Sequence, residues 1–390
     1  NGDETLQLTD IPTGIVDFKW SPDAGQIAFV SSDPPPPKKD PCVVGAFTQM
    51  NRLWVTSINT PSPKVLTPTH LHVNNCFGVT ALDWSPDGHT IAFSHTPTPH
   101  VNDWSRGDIS TVDVTTGSIT KWIHTPACER SPLYSPDGHW IAYQASEDPP
   151  SWASTFDVWI APAKGGDPRK LASTHERWSD LVGWSSDSQT VYFTNTQGLF
   201  TGLFAVPLRG GSVKQVDSGK AVLSNVRLNP SHTAVGFISQ TSTDPPEAHI
   251  APLDLFTPVQ ISNANTHMPL PSGHTEVIQY TAPDGLDIEA LITCPVENPP
   301  QTGYPLLLLV HGGPMGNFTH IFEGALTTDD PYPFSTFIDR GYAILRCNVR
   351  GSSGYGKAFL HANHNDWGGG DYKDLMAGID TVIEAGIADP

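Results

Sequence analysis

The chain has 390 residues, a length that favours two domains, and its 21 Lys and Arg against 40 Asp and Glu give a formal net charge of −19. Nucleic acids and anionic membranes are bound through clustered cations, so this acidity argues against both as partners. No segment approaches the roughly 18 uninterrupted apolar residues of a membrane span. The 37 prolines predict many turns and short strands, because helices and central strands exclude proline.

A repeated segment fills the first two thirds of the chain. Each copy has an alternating strand that ends at an aromatic or equivalent residue, a tight turn such as Ser-Pro-Asp-Gly, and a second strand. A further strand pair, joined by Thr-Gly or Gly-Gly, follows in the clearest copies. Five copies are recognisable, at residues 18–29, 82–93, 132–143, 182–193 and 226–237.

Four strands in about 40–50 residues is the period of a β-propeller blade. The sequence therefore predicts a β-propeller over residues 1–262, with about five blades visible. Trp20, Trp84 and Trp184, which precede the turns, are expected to pack between blades rather than to form a ligand cage. The proline-rich stretch 31–49 is expected to be a stiff surface loop.

A different pattern begins after a predicted linker at residues 263–274. Residues 275–390 read as the first part of an α/β-hydrolase domain, in which strands alternate with helices. The apolar run at 306–310 is typical of a strand buried on both faces. A helix at 333–341, a strand at 342–349 and an amphipathic helix at 371–386 follow. In the last helix, Asp371 and Asp374 are expected to favour the N-terminus.

His-Gly-Gly-Pro directly follows the apolar run. In an α/β-hydrolase, the loop after the third strand supplies a backbone N–H to the oxyanion that forms when a carbonyl is attacked. Glycine permits the close approach and the unusual backbone angles of such a loop. We therefore predict an oxyanion loop here rather than a simple tight turn.

The chain resembles the prolyl oligopeptidase family of serine peptidases, most closely its acylaminoacyl-peptidase and dipeptidyl-peptidase-like branches. The matching motifs are the repeated "WSPDG", "LLLLVHGGP", "RGYAILRCNVRGSSGYGKAFL" and "DWGGGDYKDLMAGIDTVIEAGIADP". The resemblance implies a propeller that caps the hydrolase domain, with the active site in the cavity that the two enclose. It implies that the N–H of Gly313 is the oxyanion donor, that Gly312 and His311 shape the loop, and that Arg350 and Tyr355 bind substrate or brace the site floor.

The family's nucleophile motif is missing. No serine in the sequence has glycine at both −2 and +2, so the Gly-x-Ser-x-Gly elbow and the triad that depends on it are absent. Five blades are also fewer than the seven or so that the resemblance implies. We therefore expect this chain to be truncated before the nucleophile and to be inactive alone.

The leading functional hypothesis is a serine peptidase of the acylaminoacyl-peptidase or oligopeptidase type. It would hydrolyse short peptides through an acyl-enzyme and would need no cofactor. A dipeptidyl peptidase or carboxylesterase of the same fold is one alternative, and a non-catalytic propeller scaffold is another. Dipeptidyl peptidases carry a "YEE" motif whose glutamates hold the free N-terminal amine of the substrate. The absence of this motif from the predicted propeller disfavours the dipeptidyl peptidase. The expected partners are peptides and the remaining half of the catalytic domain, with a homo-oligomer as a further candidate.

The sequence also contains weaker signals for metal binding, glycosylation and disulfide formation. His361 and His364 have metal-ligand spacing without a third ligand, so we expect no metal. Asn317 begins the single usable N-glycosylation sequon, beside the predicted oxyanion loop, where a glycan is not expected. The scattered cysteines leave a Cys42–Cys76 or a Cys76–Cys128 bridge open. They favour a cytoplasmic protein, with a secreted one as the alternative.

Overall fold

The computed structural model describes residues 7–35, 48–73, 81–174, 179–265, 267–268, 273–313, 315–322 and 334–390. The chain forms two compact units. The first comprises Asn1–Ser173, Gly183–Tyr192 and Val206–Ser212, and the second comprises Thr174–Val182, Phe193–Ala205 and Val213–Pro390. No helix in the described part of the chain is long and apolar enough to cross a membrane.

The first three repeats form three antiparallel sheets, with strands in chain order in the first and third. The first sheet contains β1 (Asp17–Trp20), β2 (Gln26–Ser32), β3 (Asn51–Ser57) and β4 (Lys64–Val65). The second contains β5 (His72–Val73), β6 (Leu82–Trp84), β7 (Thr90–Thr96), β8 (Asp108–Asp113) and β9 (Ile119–Ile123), with β5 and β6 both paired to β7. The third contains β10 (Glu129–Tyr134), β11 (Trp140–Ala145), β12 (Asp157–Pro162) and β13 (Arg169–Ala172).

The last two repeats share one eight-stranded sheet. Its strands are β14 (Leu181–Trp184), β15 (Thr190–Gln197), β16 (Phe200–Pro207), β17 (Lys214–Gln215), β18 (Val222–Leu228), β19 (Ala234–Gln240), β20 (Glu247–Pro252) and β21 (Val259–Gln260). A short parallel pairing of Thr201 with Val222 joins β16 to β18. Each repeat thus supplies about four strands, as predicted. Their arrangement as a β-propeller stays a prediction.

The Ser-Pro-Asp-Gly turns have the predicted geometry. In the second repeat the Ser85 hydroxyl donates to Asp87 Oδ1 at 2.6 Å, and the N–H of His89 donates to the same oxygen at 3.0 Å. Gly88 has φ +73°, a conformation that glycine adopts without steric cost. The turn is therefore fixed by its own side chains, which explains why it was recognisable from sequence.

The tryptophans that precede these turns behave in two ways. Trp84 and Trp184 are buried, and their indole N–H groups donate to the carbonyls of Lys19 at 3.1 Å and Leu133 at 3.0 Å in the preceding sheets. Their predicted packing between repeats is confirmed. Trp20, in the first sheet, is instead 48% exposed, so the same prediction is wrong for this residue in the described structure.

A buried carboxyl group lies at the start of β10. Glu129 is 1% exposed, accepts a hydrogen bond from the Thr125 hydroxyl, and has a pKa raised from 4.5 to about 8, chiefly by burial and further by the charge of Asp108. The unfolded chain therefore releases this proton first as the pH rises. Stability from this group is complete below pH 4.5 and declines until about pH 8.

We expect Glu129→Gln to remove this pH dependence. The gain in melting temperature of the variant over the wild type should grow between about pH 5 and about pH 8, with a free-energy change of at most about 5 kcal/mol. Thermal unfolding of both proteins across this range checks the expectation. A difference that stays constant with pH would mean that Glu129 is ionised in the folded chain.

The C-terminal region combines a sheet with helices. Its strands are β22 (Gly273–Thr281), β23 (Asp287–Pro295), β24 (Leu306–Leu309) and β25 (Ala343–Asn348), and its helices are α1 (Phe334–Ile338), α2 (Lys357–Leu360) and α3 (Gly370–Glu384). The sheet order is β22-β23-β25-β24, antiparallel except for the parallel pair β24 and β25. Leu345, Cys347 and Val382 join the strands and α3 in one apolar core.

Strand β24 departs from the sequence prediction. Its four leucines are only partly buried, and the following Val310 is 55% exposed. The reason is its place at the edge of the described sheet, where β25 covers one side of it. The expectation of a strand buried on both faces is therefore wrong for the described part of the chain.

The cysteines of the described residues carry no disulfide. Cys128, Cys294 and Cys347 are present as thiols, and Cys128 donates to the carbonyl of Trp104 at 3.0 Å. Cys42 and Cys76 lie outside the described residues.

Candidate active site

The loop after β24 contains two glycines with different requirements. Gly313 has φ +129°, and a Cβ atom there would lie 2.6 Å from the backbone nitrogens of Met315 and Gly316. Gly312 has room for a Cβ atom, and its carbonyl accepts the N–H of Gly316 at 3.1 Å, which closes the turn. The backbone conformation of this turn thus depends on glycine at position 313.

The N–H of Gly313 is available as a donor. The residue is exposed, and within the described residues its N–H makes no hydrogen bond. A backbone amide that is held in a strained turn and lacks a protein acceptor can donate to a ligand oxygen. The role of this N–H as an oxyanion donor, which the family resemblance implies, stays a prediction.

His311 anchors the same loop from its other end. Its Nε2 lies 2.9 Å from the Ser352 hydroxyl, which donates to the carbonyl of Val349 at 2.6 Å. Because that hydroxyl has a single proton, Nε2–H is the donor to Ser352. Burial lowers the pKa of His311, and its ring packs edge-on against Phe318, with centroids 5.2 Å apart. The contacts with Ser352 and Phe318 hold the His311 ring in place, which suits a structural role in the loop.

Arg350 is held between two carboxylates. Its guanidinium donates to Asp284 at 2.6 and 2.9 Å and to Asp374 at 2.9 and 2.7 Å, and its backbone N–H donates to Asp374 at 2.9 Å. The hydrogen bonds from Arg350 hold the pKa of Asp284 at about 2. These contacts connect the β22–β23 turn, the end of β25 and α3. Substrate binding by Arg350 stays a prediction.

Tyr355 lies in a second polar cluster close to the loop. Its hydroxyl donates to Glu289 Oε2 at 2.8 Å and accepts from Asn348 Nδ2 at 2.8 Å. Its ring packs against Phe359, with centroids 4.9 Å apart. Burial, and then the charge of Glu289, raise the pKa of Tyr355, so the phenol keeps its proton at neutral pH. Substrate binding by Tyr355 also stays a prediction.

Sequence reasoning missed several residues of these clusters. Asp374 was expected to stabilise the α3 N-terminus, but it is fully buried and bonded to Arg350, because it faces the sheet. Asn348 and Ser352 carried one usable signal, since they are polar residues at and just after the end of an apolar strand. Glu289 carried none, because alternation along β23 predicts only an outward side chain.

The structure does not strengthen the metal or the glycosylation signal of the sequence. In the described part of the chain, no group of three or more His, Cys, Asp or Glu side chains could hold a metal ion, His361 and His364 included. The Nδ2 atom of Asn317, the acceptor atom of the sequon, is buried.

Comparison with known proteins supports the family resemblance. Residues 330–390 match the model of the prolyl oligopeptidase family. The chain is 31% identical over 206 residues to the uncharacterized peptidase YuxL of Bacillus subtilis (strain 168), covering 52% of this chain and 29% of that protein. It is 27% identical over 331 residues to dipeptidyl-peptidase 5 of Arthroderma otae, covering 75% of this chain and 42% of that protein.

Solved structures with low sequence identity share the fold. The Pyrococcus horikoshii acylaminoacyl peptidase superposes with a TM-score of 0.73 at 16% identity, covering 98% of this chain and 58% of that one. A Mycobacterium tuberculosis puromycin-hydrolyzing peptidase gives 0.70 at 17% identity, covering 96% and 57%.

The fold is therefore a mostly β fold of the kind found in acylaminoacyl peptidases. The match of residues 330–390 to the prolyl oligopeptidase family bears out the resemblance found in the sequence. The chain spans less than half the length of these curated relatives.

Proposed function

We propose that this chain is part of a longer serine peptidase of the prolyl oligopeptidase family, which hydrolyses short peptides through an acyl-enzyme. The acylaminoacyl-peptidase or oligopeptidase type is the first candidate. The observation that carries the proposal is the exposed N–H of Gly313, held after β24 in a conformation that favours glycine. The longer relatives and the family match of residues 330–390 support it.

The chain's part in the reaction is electrostatic. When a serine attacks the scissile carbonyl, its oxygen becomes negative and moves into hydrogen-bonding range of the Gly313 N–H. A preorganised donor of this kind stabilises the transition state by roughly 3–4 kcal/mol. The serine, its histidine base and the aspartate that orients the base would come from sequence outside these 390 residues, because no Gly-x-Ser-x-Gly occurs within them. No cofactor is needed for this chemistry.

The same proposal accounts for the architecture. Residues 1–262 would form blades of a propeller, 263–274 a linker, and 275–390 the first part of an α/β-hydrolase domain. Within the described sheet, one side of β24 has no paired strand, and the next parallel strand, which would carry the nucleophile, would pair there. Such a strand would also cover Val310, which is 55% exposed.

A dipeptidyl peptidase is the second candidate, favoured by the likeness to dipeptidyl-peptidase 5 of Arthroderma otae. A carboxylesterase shares the oxyanion chemistry, and a scaffold would lack the serine. Peptide substrates, the missing half of the catalytic domain and a homo-oligomer stay proposals as partners. A cytoplasmic location, with secretion as the alternative, stays one too.

We expect the 390-residue chain to show no peptidase or esterase turnover above a buffer control, because it lacks a nucleophile. Co-expression with the downstream residues of its parent gene should restore hydrolysis of acylated amino-acid and dipeptide p-nitroanilides. The ratio of the two substrates separates the two peptidase candidates. Turnover by the chain alone, or none from the combined halves and the intact parent, would refute the proposal.

A further inference from the structure

We infer that Asn348, Tyr355 and Glu289 form a partly buried brace that positions the oxyanion loop, so that Asn348 and Tyr355 are positioning residues for catalysis. This inference rests on the proposed function. In this inference, Asn348 and Tyr355 act on the reaction through residues 315–320.

The first part of the brace is a two-point grip on the loop. The N–H of Phe318 donates to Asn348 Oδ1 at 2.7 Å, and Asn348 Nδ2 donates to the carbonyl of Phe318 at 2.9 Å. The side-chain amide thus pairs with Phe318 as a neighbouring strand would. Since a backbone N–H only donates and a carbonyl only accepts, this pairing fixes the orientation of the amide. Asn348 itself is fully buried at the end of β25.

The second part of the brace fixes Asn348. The remaining Nδ2 hydrogen goes to Tyr355, whose hydroxyl donates in turn to Glu289 on β23. Every polar atom of the Asn348 side chain and the Tyr355 hydroxyl then has a partner. Because the buried phenol keeps its proton, the direction of donation runs from Asn348 through Tyr355 to Glu289. A hydrogen-bonded network that is satisfied in this way around a buried amide rigidifies its members.

The tip of the hairpin between β15 and β16 packs against the brace and the loop. The N–H of Gly198, between β15 and β16, donates to the carbonyl of Gly354 at 2.9 Å, and the N–H of His320 donates to that of Leu199 at 2.9 Å. A Cβ atom at Gly198 would lie 2.8 Å from Glu289 Oε2, so the backbone packs closely on the carboxylate. Residues 318 and 320 are thereby held from two directions.

A short series of contacts connects Phe318 to the turn that presents the Gly313 N–H. Phe318 packs on the ring of His311, and Ser353 N donates to the carbonyl of Gly316 at 3.3 Å. His311 and Gly316 lie on either side of Gly313. Movement of Phe318 therefore disturbs both supports of the turn that presents the Gly313 N–H.

The test compares Asn348→Asp and Tyr355→Phe with Tyr372→Phe, a control that removes a hydroxyl from a 55% exposed tyrosine on α3. In Asn348→Asp, the carboxylate cannot donate to Phe318 or to Tyr355. Hydrogen exchange of the peptide covering residues 315–322, measured on the 390-residue chain, should accelerate about tenfold in both test variants. Exchange in the control should match the wild type.

The second measurement uses the intact parent protein. Both test variants should lower kcat roughly tenfold while KM changes by less than about threefold, because misplacement of an oxyanion donor weakens transition-state binding alone. A purely structural role would lower the melting temperature and leave kcat per folded molecule unchanged. Unchanged exchange at 315–322, or unchanged kcat in folded variants, would overturn the inference. If the parent has no hydrolase activity, the proposed function fails, and the exchange result alone decides whether the brace exists.

Discussion

Gly313→Ala is expected to lower kcat of the intact enzyme by roughly 10²–10³-fold, the usual cost of losing one oxyanion donor. The added Cβ atom would lie 2.6 Å from two backbone nitrogens, and φ +129° is a conformation that alanine rarely adopts. Both effects force the turn to change, which moves the N–H away from the position of the developing charge. Because the donor acts in the transition state, KM should change much less than kcat.

Gly236→Ala is the matched control for this experiment. It lies on β19, and a Cβ atom there would have one contact, at 3.9 Å with the carbonyl of His249. Steady-state kinetics on an acylated amino-acid substrate, with circular dichroism to verify folding, measures both variants. A folded Gly313→Ala enzyme with kcat close to that of the control would contradict the assigned role of the Gly313 N–H.

Arg350→Met is expected to lower the free energy of unfolding of the C-terminal region by about 3–5 kcal/mol. The reason is the asymmetry between its two partners. The side chain of Asp374 is fully buried, whereas that of Asp284 is 56% exposed and can be rehydrated. Removal of the guanidinium leaves the Asp374 carboxylate in the core without its counter-charge. The cost of this uncompensated buried charge is the main part of the expected loss of stability.

Two further variants separate this effect from loss of side-chain packing. Arg340→Met removes an exposed arginine and should leave the unfolding midpoint almost unchanged. Arg350→Met with Asp374→Leu removes both charges and should recover a large part of the loss. Urea unfolding followed by hydrogen exchange of α3 and β25 measures the C-terminal region directly. A single Arg350→Met variant as stable as Arg340→Met would show that the buried pair contributes little.

The sequence predicts best those features whose causes are local. The Ser-Pro-Asp-Gly turns are fixed by contacts within five residues, so their four-residue motif specifies strand, turn and strand. The amphipathic pattern of α3 likewise predicts a helix at 371–386, close to the observed Gly370–Glu384. Its apolar face is also right for Leu375, Ile379, Val382 and Ile383, whereas Met376 is 37% exposed.

Features that depend on distant partners were predicted less well. The burial of β24 depends on which strands flank it, and the sequence of β24 does not indicate which strands these are. The sequence places Asp374 at the helix terminus, because its ion pair with Arg350 joins residues 24 positions apart and leaves no local pattern. The oxyanion loop was found because its glycines directly follow a strand. The brace at Asn348 was missed because its partners come from three separate segments.

The most direct test of the central claim is to identify the serine that reacts with a fluorophosphonate in the intact parent protein. We expect one labelled serine, within a Gly-x-Ser-x-Gly motif outside these 390 residues, and a much slower reaction in Gly313→Ala than in Gly236→Ala. A parent protein that is not labelled, or a label on a serine within these 390 residues, would contradict the account.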